Sequence, residues 1–476
     1  MSARLASILD AQCASGNNPP AMPAKLCPLI LGLTLLLFTS CRTPETPTTI
    51  AADPALAQFQ PLPAPKPAHL VLKPGDRLAI CGDSITEQKR YSRLLEDYLT
   101  MCVPELKVTV RQYGWGGETA RGFLARMTND CLRFQPTIAT TCYGMNDHEY
   151  RAYDVRIGHT YRDKSTTIVK AFKAHGARVI QGSPGCMGKM PNRTKRTNDT
   201  LVDLNQNLCT LRNIGIDIAR QEHVGFADVF WPMLTAGRLG EQLYGPDFLI
   251  AGKDGIHPNW AGHVVMAYAF LKAFGLDGDL GTFTVDLRRN TLTASEGHEL
   301  VSAAEGVFTI RSSRYPFCAC SGAVTAAADV TPAFPACDAA AGHETGSLRA
   351  ALALIPFDQE LNRFTLVAKH GQAARYRVTW GGASKTFTAE QLRRGVNLAA
   401  EFPANPFNEA FARVDAAVAV KQDYETLQVK KIFHGSEGKA DMAAAVIRTE
   451  AVRAPLVAAI QTAFAPVTHS FAITAE

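Results

Sequence analysis

Four short stretches of this sequence hold residue types that can do chemistry together. In Cys81-Gly82-Asp83-Ser84-Ile85-Thr86 a hydroxyl stands directly after an apolar run and at the start of a helical one. A serine there faces the crevice at the carboxyl end of a strand, and the helix N-terminus beside it favours negative charge, which is a nucleophile's position. In Gly114-Trp115-Gly116-Gly117-Glu118-Thr119, three glycines in four positions let a backbone N–H point at a developing oxyanion without side-chain obstruction. Gly144-Met145-Asn146-Asp147 offers a side-chain amide as a second donor to the same charge. In Asp254-Gly255-Ile256-His257-Pro258 a carboxylate precedes an imidazole by three residues, close enough to hold the ring in the tautomer that accepts a serine proton. Each stretch alone has a plain structural reading: Gly-Asp-Ser and Asn-Asp are turn and cap chemistry, and glycines make tight turns. Four such coincidences in this chain order favour one shared site built on Ser84.

The elements that must position these residues follow from the apolar pattern. Runs at 77–81, 107–113, 137–142, 177–181 and 224–229 read as strands, several of them nearly continuous in apolar and β-branched residues, as parallel strands covered on both faces should be. Between them, 91–100, 119–127, 161–175, 198–222 and 261–274 show three-to-four spacing of apolar residues and predict helices. This alternation predicts an α/β fold, a three-layer α/β/α sandwich with a mostly parallel five-stranded sheet of flavodoxin-like type. The first three motifs then fall just after strands, where such sheets bind ligands, and the fourth stands just before the final helix. Beyond Gly275 the pattern changes. Stretches 282–288, 291–302, 306–312, 363–369 and 374–380 alternate and predict antiparallel strands, and 408–433 and 441–464 predict helices. The Ala- and Gly-rich stretch 321–346 predicts an irregular connection. The expected organisation is a leader at 1–41, a Pro/Thr/Ala-rich linker at 42–69 with little to bury, a first domain at 70–278, a β-rich accessory region at 279–400 and a helical region at 401–476.

Gly82-Asp83-Ser84, 114–119, Gly144-Met145-Asn146-Asp147 and Asp254-Gly255-Ile256-His257 resemble the four blocks of the SGNH/GDSL hydrolase family, a resemblance that runs from Leu70 to about Gly275. It implies a serine ester hydrolase acting through an acyl-enzyme. Ser84 would be the nucleophile and His257 the base, oriented by Asp254. The oxyanion donors would be the Ser84 and Gly117 N–H groups and the Asn146 side chain. No metal or organic cofactor is implied. The sequence departs from the family in one place: the second block usually begins with Asn, and Gln112 stands there. Trp115, Tyr143 and Trp260 flank the blocks and are expected either to wall the pocket, stacking on a sugar or acyl group, or to sit in the core. His148 is expected on an exposed loop, and His263 in packing or on the surface. The tail, with 355–362 and 378–381, is similar to extensions on exported bacterial members of unknown substrate.

Composition narrows the partners. The chain has 476 residues, 46% hydrophobic and 20% charged, which excludes disorder and polyelectrolyte behaviour. Lys and Arg number 49 against 44 Asp and Glu, a net +5 without a basic stripe, so nucleic acid is not an expected partner. A small-molecule or glycan ester is expected instead, with removal of acetyl groups from carbohydrate, hydrolysis of lipid esters, and non-catalytic binding of an envelope glycan as the alternatives. The apolar run 26–38 after Lys25 is shorter than the ~20 residues a spanning helix needs and suits a signal-peptide core, with Met22 a candidate start. It ends in Phe38-Thr39-Ser40-Cys41, which resembles the lipobox of bacterial lipoproteins and implies lipidation of Cys41 and an anchored protein of the cell envelope, in the periplasm or on the outer surface. Twelve cysteines are scattered without a framework spacing. Cys318, Cys320 and Cys337 are expected to form a structural bridge or remain buried thiols rather than bind metal with His343.

Overall fold

The computed structural model describes residues 53–192, 198–318 and 348–476. The leader with Cys41, the start of the linker, Cys320, Cys337, His343 and the 321–346 connection lie outside the described residues. Strands β1 (Arg77–Gly82), β2 (Thr109–Gln112), β3 (Ile138–Cys142), β4 (Arg178–Gly182) and β5 (Gly225–Ala227) pair in parallel in the order β2-β1-β3-β4-β5. The central strand β3 is buried along its whole length, which is why its sequence lacks alternation. Successive side chains of β1 feed opposite faces. Leu78 and Ile80 join one core with helices α2 (Tyr91–Met101), α6 (Phe230–Tyr244) and α7 (Trp260–Ala273), while Ala79 and Cys81 join another with α3 (Ala120–Asp130) and α4 (Val155–Ala174). Helix α5 (Leu201–Glu222) gives side chains to both cores, and its first turn is closed by a capping box between Thr200 and Asp203, a feature worth about 1 kcal/mol. The three-layer sandwich is thus as expected. Its strand order reverses beside β1, and the motif loops open at that edge.

Among the described residues two further sheets follow, built from β6 (Asp279–Asp286), β7 (Thr291–Ala294), β8 (His298–Ala304), β9 (Val307–Ser312), β10 (Arg363–Lys369), β11 (Arg375–Trp380), β12 (Ala383–Thr388), β13 (Val396–Asn397) and β14 (Val467–Ala475). Their orders are β13-β10-β6-β7 and β12-β11-β14-β9-β8. Two expectations are corrected here. Strands β6 and β10 pair in parallel, with Leu366 opposite Phe283; alternation of side chains sets faces, not direction. The last region is not purely helical either, because β14 inserts between β9 and β11 as an inner strand. Between β13 and β14 run helices at Asn408–Leu427 and Met442–Ala463, the first extended by a π-helical turn, Gln428–Phe433.

The 42–69 stretch, expected to bury little, is corrected from Asp53 onward. Leu56 and Phe59 are buried in the first core, and Asp53 pairs with Arg238 of α6 at 3.1 Å. Phe59 packs edge-on to Phe230 and Trp231. Two large apolar side chains anchor this Pro-rich stretch without showing any periodicity, and Arg212 and Asn213 donate to the carbonyls of Leu62 and Gln60 at 2.9 and 3.0 Å. Cys81, Cys102, Cys131, Cys142, Cys186, Cys209 and Cys318 are buried free thiols, so Cys318 takes the buried-thiol alternative.

Candidate active site

Strand β1 passes directly into Asp83, whose carboxylate accepts the Ile85 N–H at 2.9 Å and caps the short helix α1 (Ser84–Glu87). The cap and the chemical reading therefore coexist: Asp83 supplies the cap and so makes Ser84 the first, half-exposed helical residue. Ser84 Oγ lies 2.8 Å from His257 Nε2, and His257 Nδ1 lies 2.6 Å from Asp254 Oδ2. Asp254 Oδ1 accepts the N–H groups of Ile256 and His257 at 3.0 and 2.9 Å. Burial opposes ionisation of Asp254, but these bonds and the imidazole outweigh it and hold its carboxyl below the ordinary value. With an ionised acceptor at Nδ1, that nitrogen carries the proton and Nε2 faces the serine as acceptor. Asn259, two residues on, caps α7 through the Gly262 N–H at 3.0 Å and fixes where the loop ends.

The second and third loops close around the same point. Gly117 has φ +74°, a conformation that strains any L side chain. Gly114 is needed for a different reason: a Cβ there would lie 2.2 Å from the Glu87 nitrogen, so the second loop rests on the first. Asn146 donates from Nδ2 to the Glu118 carbonyl at 3.0 Å and faces Asp83 Oδ2 at 3.4 Å, while its Oδ1 accepts the Tyr150 hydroxyl at 3.0 Å. It is a cross-link between all three loops rather than a helix cap. Asp147 does similar work, accepting Ala120 N–H and Gly144 N–H, both at 3.0 Å.

Below these loops Asp83 and Glu118 are buried, and Asp147 is partly so. Burial pushes Asp83 and Asp147 up to about 7 each, against the backbone N–H bonds they accept, and pushes Glu118 up against the pull of Arg126, 2.6 Å away. Between the ordinary value of 3.8 and about 7 the folded chain holds protons that the unfolded chain has released. The contribution of Asp83 to stability is therefore full below about pH 4, falls as pH rises, and levels off above about 7. Asp83→Asn, which cannot titrate, is expected to make the fall of the urea midpoint between pH 4 and 7 shallower, with Asp147 still contributing to it; an unchanged slope would remove Asp83 from this linkage.

The flanking residues divide. Tyr143 is buried, stacks on Phe123 with centroids 5.5 Å apart and donates to Glu118 Oε2 at 3.0 Å, so it is core and not pocket wall. Trp260 is also buried, with the guanidinium carbons of Arg90 and Arg93 each 5.3 Å from its ring centre. Trp115 stays half-exposed beside the second loop. His148 is corrected: it is fully buried, its Nδ1 meets the Met145 carbonyl, and burial pushes it down to about 4. His263 is buried and meets Gln88 Oε1 at 3.0 Å, so packing is its role.

Sequence reasoning missed what holds the second loop. Gln112, the departure from the family pattern, accepts the Gly114 N–H through Oε1 and donates through Nε2 to Thr426 Oγ1 at 2.7 Å, while Glu425 Oε2 accepts its backbone N–H at 3.0 Å. The longer side chain thus stays within the loop and also reaches the helix Asn408–Leu427. Lys430 of the π-helical turn pairs with Glu87 and lies 5.1 Å from the Trp115 ring centre, and His434 meets that ring edge-on at 5.0 Å. The only sequence signal for this was Gln112 itself, because a distance of more than 300 residues leaves no local trace.

Residues 80–265 match the GDSL-like lipase/acylhydrolase family. An acetylxylan esterase from Geobacillus stearothermophilus is 24% identical over 226 residues, 43% of this chain and 95% of that one. A structure of that esterase covers 43% of this chain and 97% of its own, at 24% identity and a TM-score of 0.35. A gut microbial diltiazem-metabolizing enzyme shares the fold more extensively, over 86% of this chain and 100% of its own, with 21% identity and a TM-score of 0.64. The protein is a hydrolase of ester bonds. Its α/β domain belongs to the SGNH/GDSL family, the GDSL-like lipases and acylhydrolases.

Proposed function

We propose that the protein is a serine esterase that removes short acyl groups, acetyl above all, from carbohydrate at the cell envelope. The observation that carries this reading is the continuous chain from Ser84 Oγ through His257 to Asp254, at 2.8 and 2.6 Å. Ser84 attacks the ester carbonyl while His257 Nε2 takes its proton, and the oxyanion is held by the N–H groups of Ser84 and Gly117 and by Asn146 Nδ2. The imidazolium, stabilised by Asp254, then gives its proton to the leaving alcohol. Water activated by the same ring releases the acid and restores the serine. The acetyl and carbohydrate assignment is supported by the relative named as an acetylxylan esterase and by the half-exposed Trp115 at the rim.

The test is a series of p-nitrophenyl esters from acetate to long-chain acids, run beside acetylated xylo-oligosaccharides and a serine-reactive phosphonate. Fastest turnover of acetyl esters and labelling of Ser84 are expected. A preference for long chains would make the protein a lipid esterase, and neither turnover nor labelling would leave a glycan-binding scaffold.

The site is proposed to work at a membrane surface through a lipid on Cys41, for which the lipobox-like Phe38-Thr39-Ser40-Cys41 is the support. Cys41→Ala is expected to move the protein from the membrane fraction to the soluble one. Retention in the membrane fraction would instead point to an uncleaved apolar segment at 26–38.

A further inference from the structure

We propose that Tyr150 is a positioning residue for the oxyanion donor, acting through Asn146; this rests on the serine-esterase reading above. The turn that follows the third motif is unusual. Glu149 and Tyr150 have φ of +55° and +54°, two consecutive non-glycine residues in the left-handed region. Each such residue costs free energy and persists only where its surroundings hold it. Here they do: Asn207 of α5 donates to the carbonyls of His148 and Arg151 at 3.1 and 2.9 Å, and the Glu149 N–H bonds the Asn146 carbonyl at 3.2 Å.

The result of this conformation is that the Tyr150 ring turns back against buried His148, centroids 4.7 Å apart, and its hydroxyl reaches Asn146 Oδ1 at 3.0 Å. The orientation of the amide is settled from the other end, because the Glu118 carbonyl can only accept and therefore faces Nδ2. Oδ1 then faces Tyr150, whose hydroxyl donates. That bond does two things for the reaction. It fixes the side-chain torsion so that the second Nδ2 hydrogen, directed toward Asp83 Oδ2 at a long 3.4 Å, remains available to a new acceptor. It also draws electron density toward the amide oxygen, which makes the N–H a better donor to a developing negative charge. Both effects act mainly in the transition state, so they should appear in kcat and not in KM.

The experiment is a double-mutant cycle on the full chain with Tyr150→Phe and Asn146→Ala, measured with an acetyl ester. Phenylalanine keeps the ring on His148 and removes only the hydroxyl. Tyr150→Phe is expected to lower kcat roughly 5- to 20-fold with KM within about twofold and only a small fall of the urea midpoint, as the loss of one hydrogen bond implies. In the Asn146→Ala background, itself roughly 100-fold slower, the same change should cost less than about twofold, since the amide that links the hydroxyl to the oxyanion would be gone. An equal loss in both backgrounds would make Tyr150 a support of the loop in general, and no loss in the native background would make the hydroxyl idle; either result overturns the proposal. Ser84→Ala and phosphonate labelling separate the two levels. Persisting activity there brings down the serine-esterase reading, whereas a dead Ser84→Ala beside an unaffected Tyr150→Phe brings down only the role of Tyr150.

Discussion

Ser84→Ala is expected to lower kcat for ester hydrolysis by about 10⁴-fold or more while leaving the fold as stable as before. The hydroxyl of Ser84 has one described side-chain partner, His257 Nε2 at 2.8 Å, and the residue is half-exposed at the start of α1. Its removal therefore opens no cavity and leaves no buried group unpaired, so the change in unfolding free energy should stay within about 0.5 kcal/mol. The cap of α1 is unaffected because Asp83 supplies it. The measurement is steady-state turnover of an acetyl ester together with a urea titration. Residual activity above a few per cent, with phosphonate attached elsewhere, would mean that a different residue is the nucleophile.

The largest effect on stability is expected from a residue far from the serine. Lys421, in the helix Asn408–Leu427, is buried and donates to Glu96 Oε1 and Oε2 at 2.7 and 2.8 Å and to the Val110 carbonyl at 2.6 Å, with Glu425 at 3.3 Å. Glu96 belongs to α2 and Val110 to β2, so a single ammonium joins the helix Asn408–Leu427 to α2 and to the edge of the first sheet. Lys421→Met keeps much of the side-chain volume but takes from buried Glu96 the ammonium it pairs with, while Glu425 keeps Arg453 at 2.7 Å. The expected cost is about 3–5 kcal/mol, the range for removing one partner of a buried pair. A shift of the urea midpoint at constant m-value measures it. Adding Glu96→Gln should restore part of the loss, because a neutral pair costs less than an unpaired charge. A loss below about 1 kcal/mol would show that the helix is held in place by its apolar face and not by this network.

That network bears on the site as well. The same helix supplies Glu425 and Thr426 to Gln112, and its π-helical extension supplies Lys430 to Glu87. The first two motif loops are thus braced by a segment outside the matched 80–265 region. Short π-helical turns often occur at functional sites, and here the extra residue per turn accompanies Lys430 and His434 at the Trp115 rim.

The sequence by itself determined the parallel sheet and the position of the first three motifs after strands, and it grouped Ser84, Asn146, Asp254 and His257 as one expected site. These are local matters: continuous apolar runs mark strands covered on both faces, and glycines and caps mark where they end. Once the strand order is flavodoxin-like, loops after successive strands must converge at one edge, whatever the side chains in between. What only the tertiary structure decided are the contacts between segments far apart in the chain. Periodicity shows that a helix has an apolar face but not what covers it, so the bracing of Gln112 by residues 425 and 426 was invisible. Alternation gives the faces of a strand but not its direction or neighbours, so the parallel pairing of β6 with β10 and the insertion of β14 were missed. Burial of Tyr143, Trp260 and His148 likewise depends on which helix lies over them. The left-handed Tyr150 shows the same limit at the scale of one residue: nothing in Glu149-Tyr150 favours that conformation, and contacts outside the pair, among them the loop's attachment to α5 and the bond to the Asn146 carbonyl, hold it there.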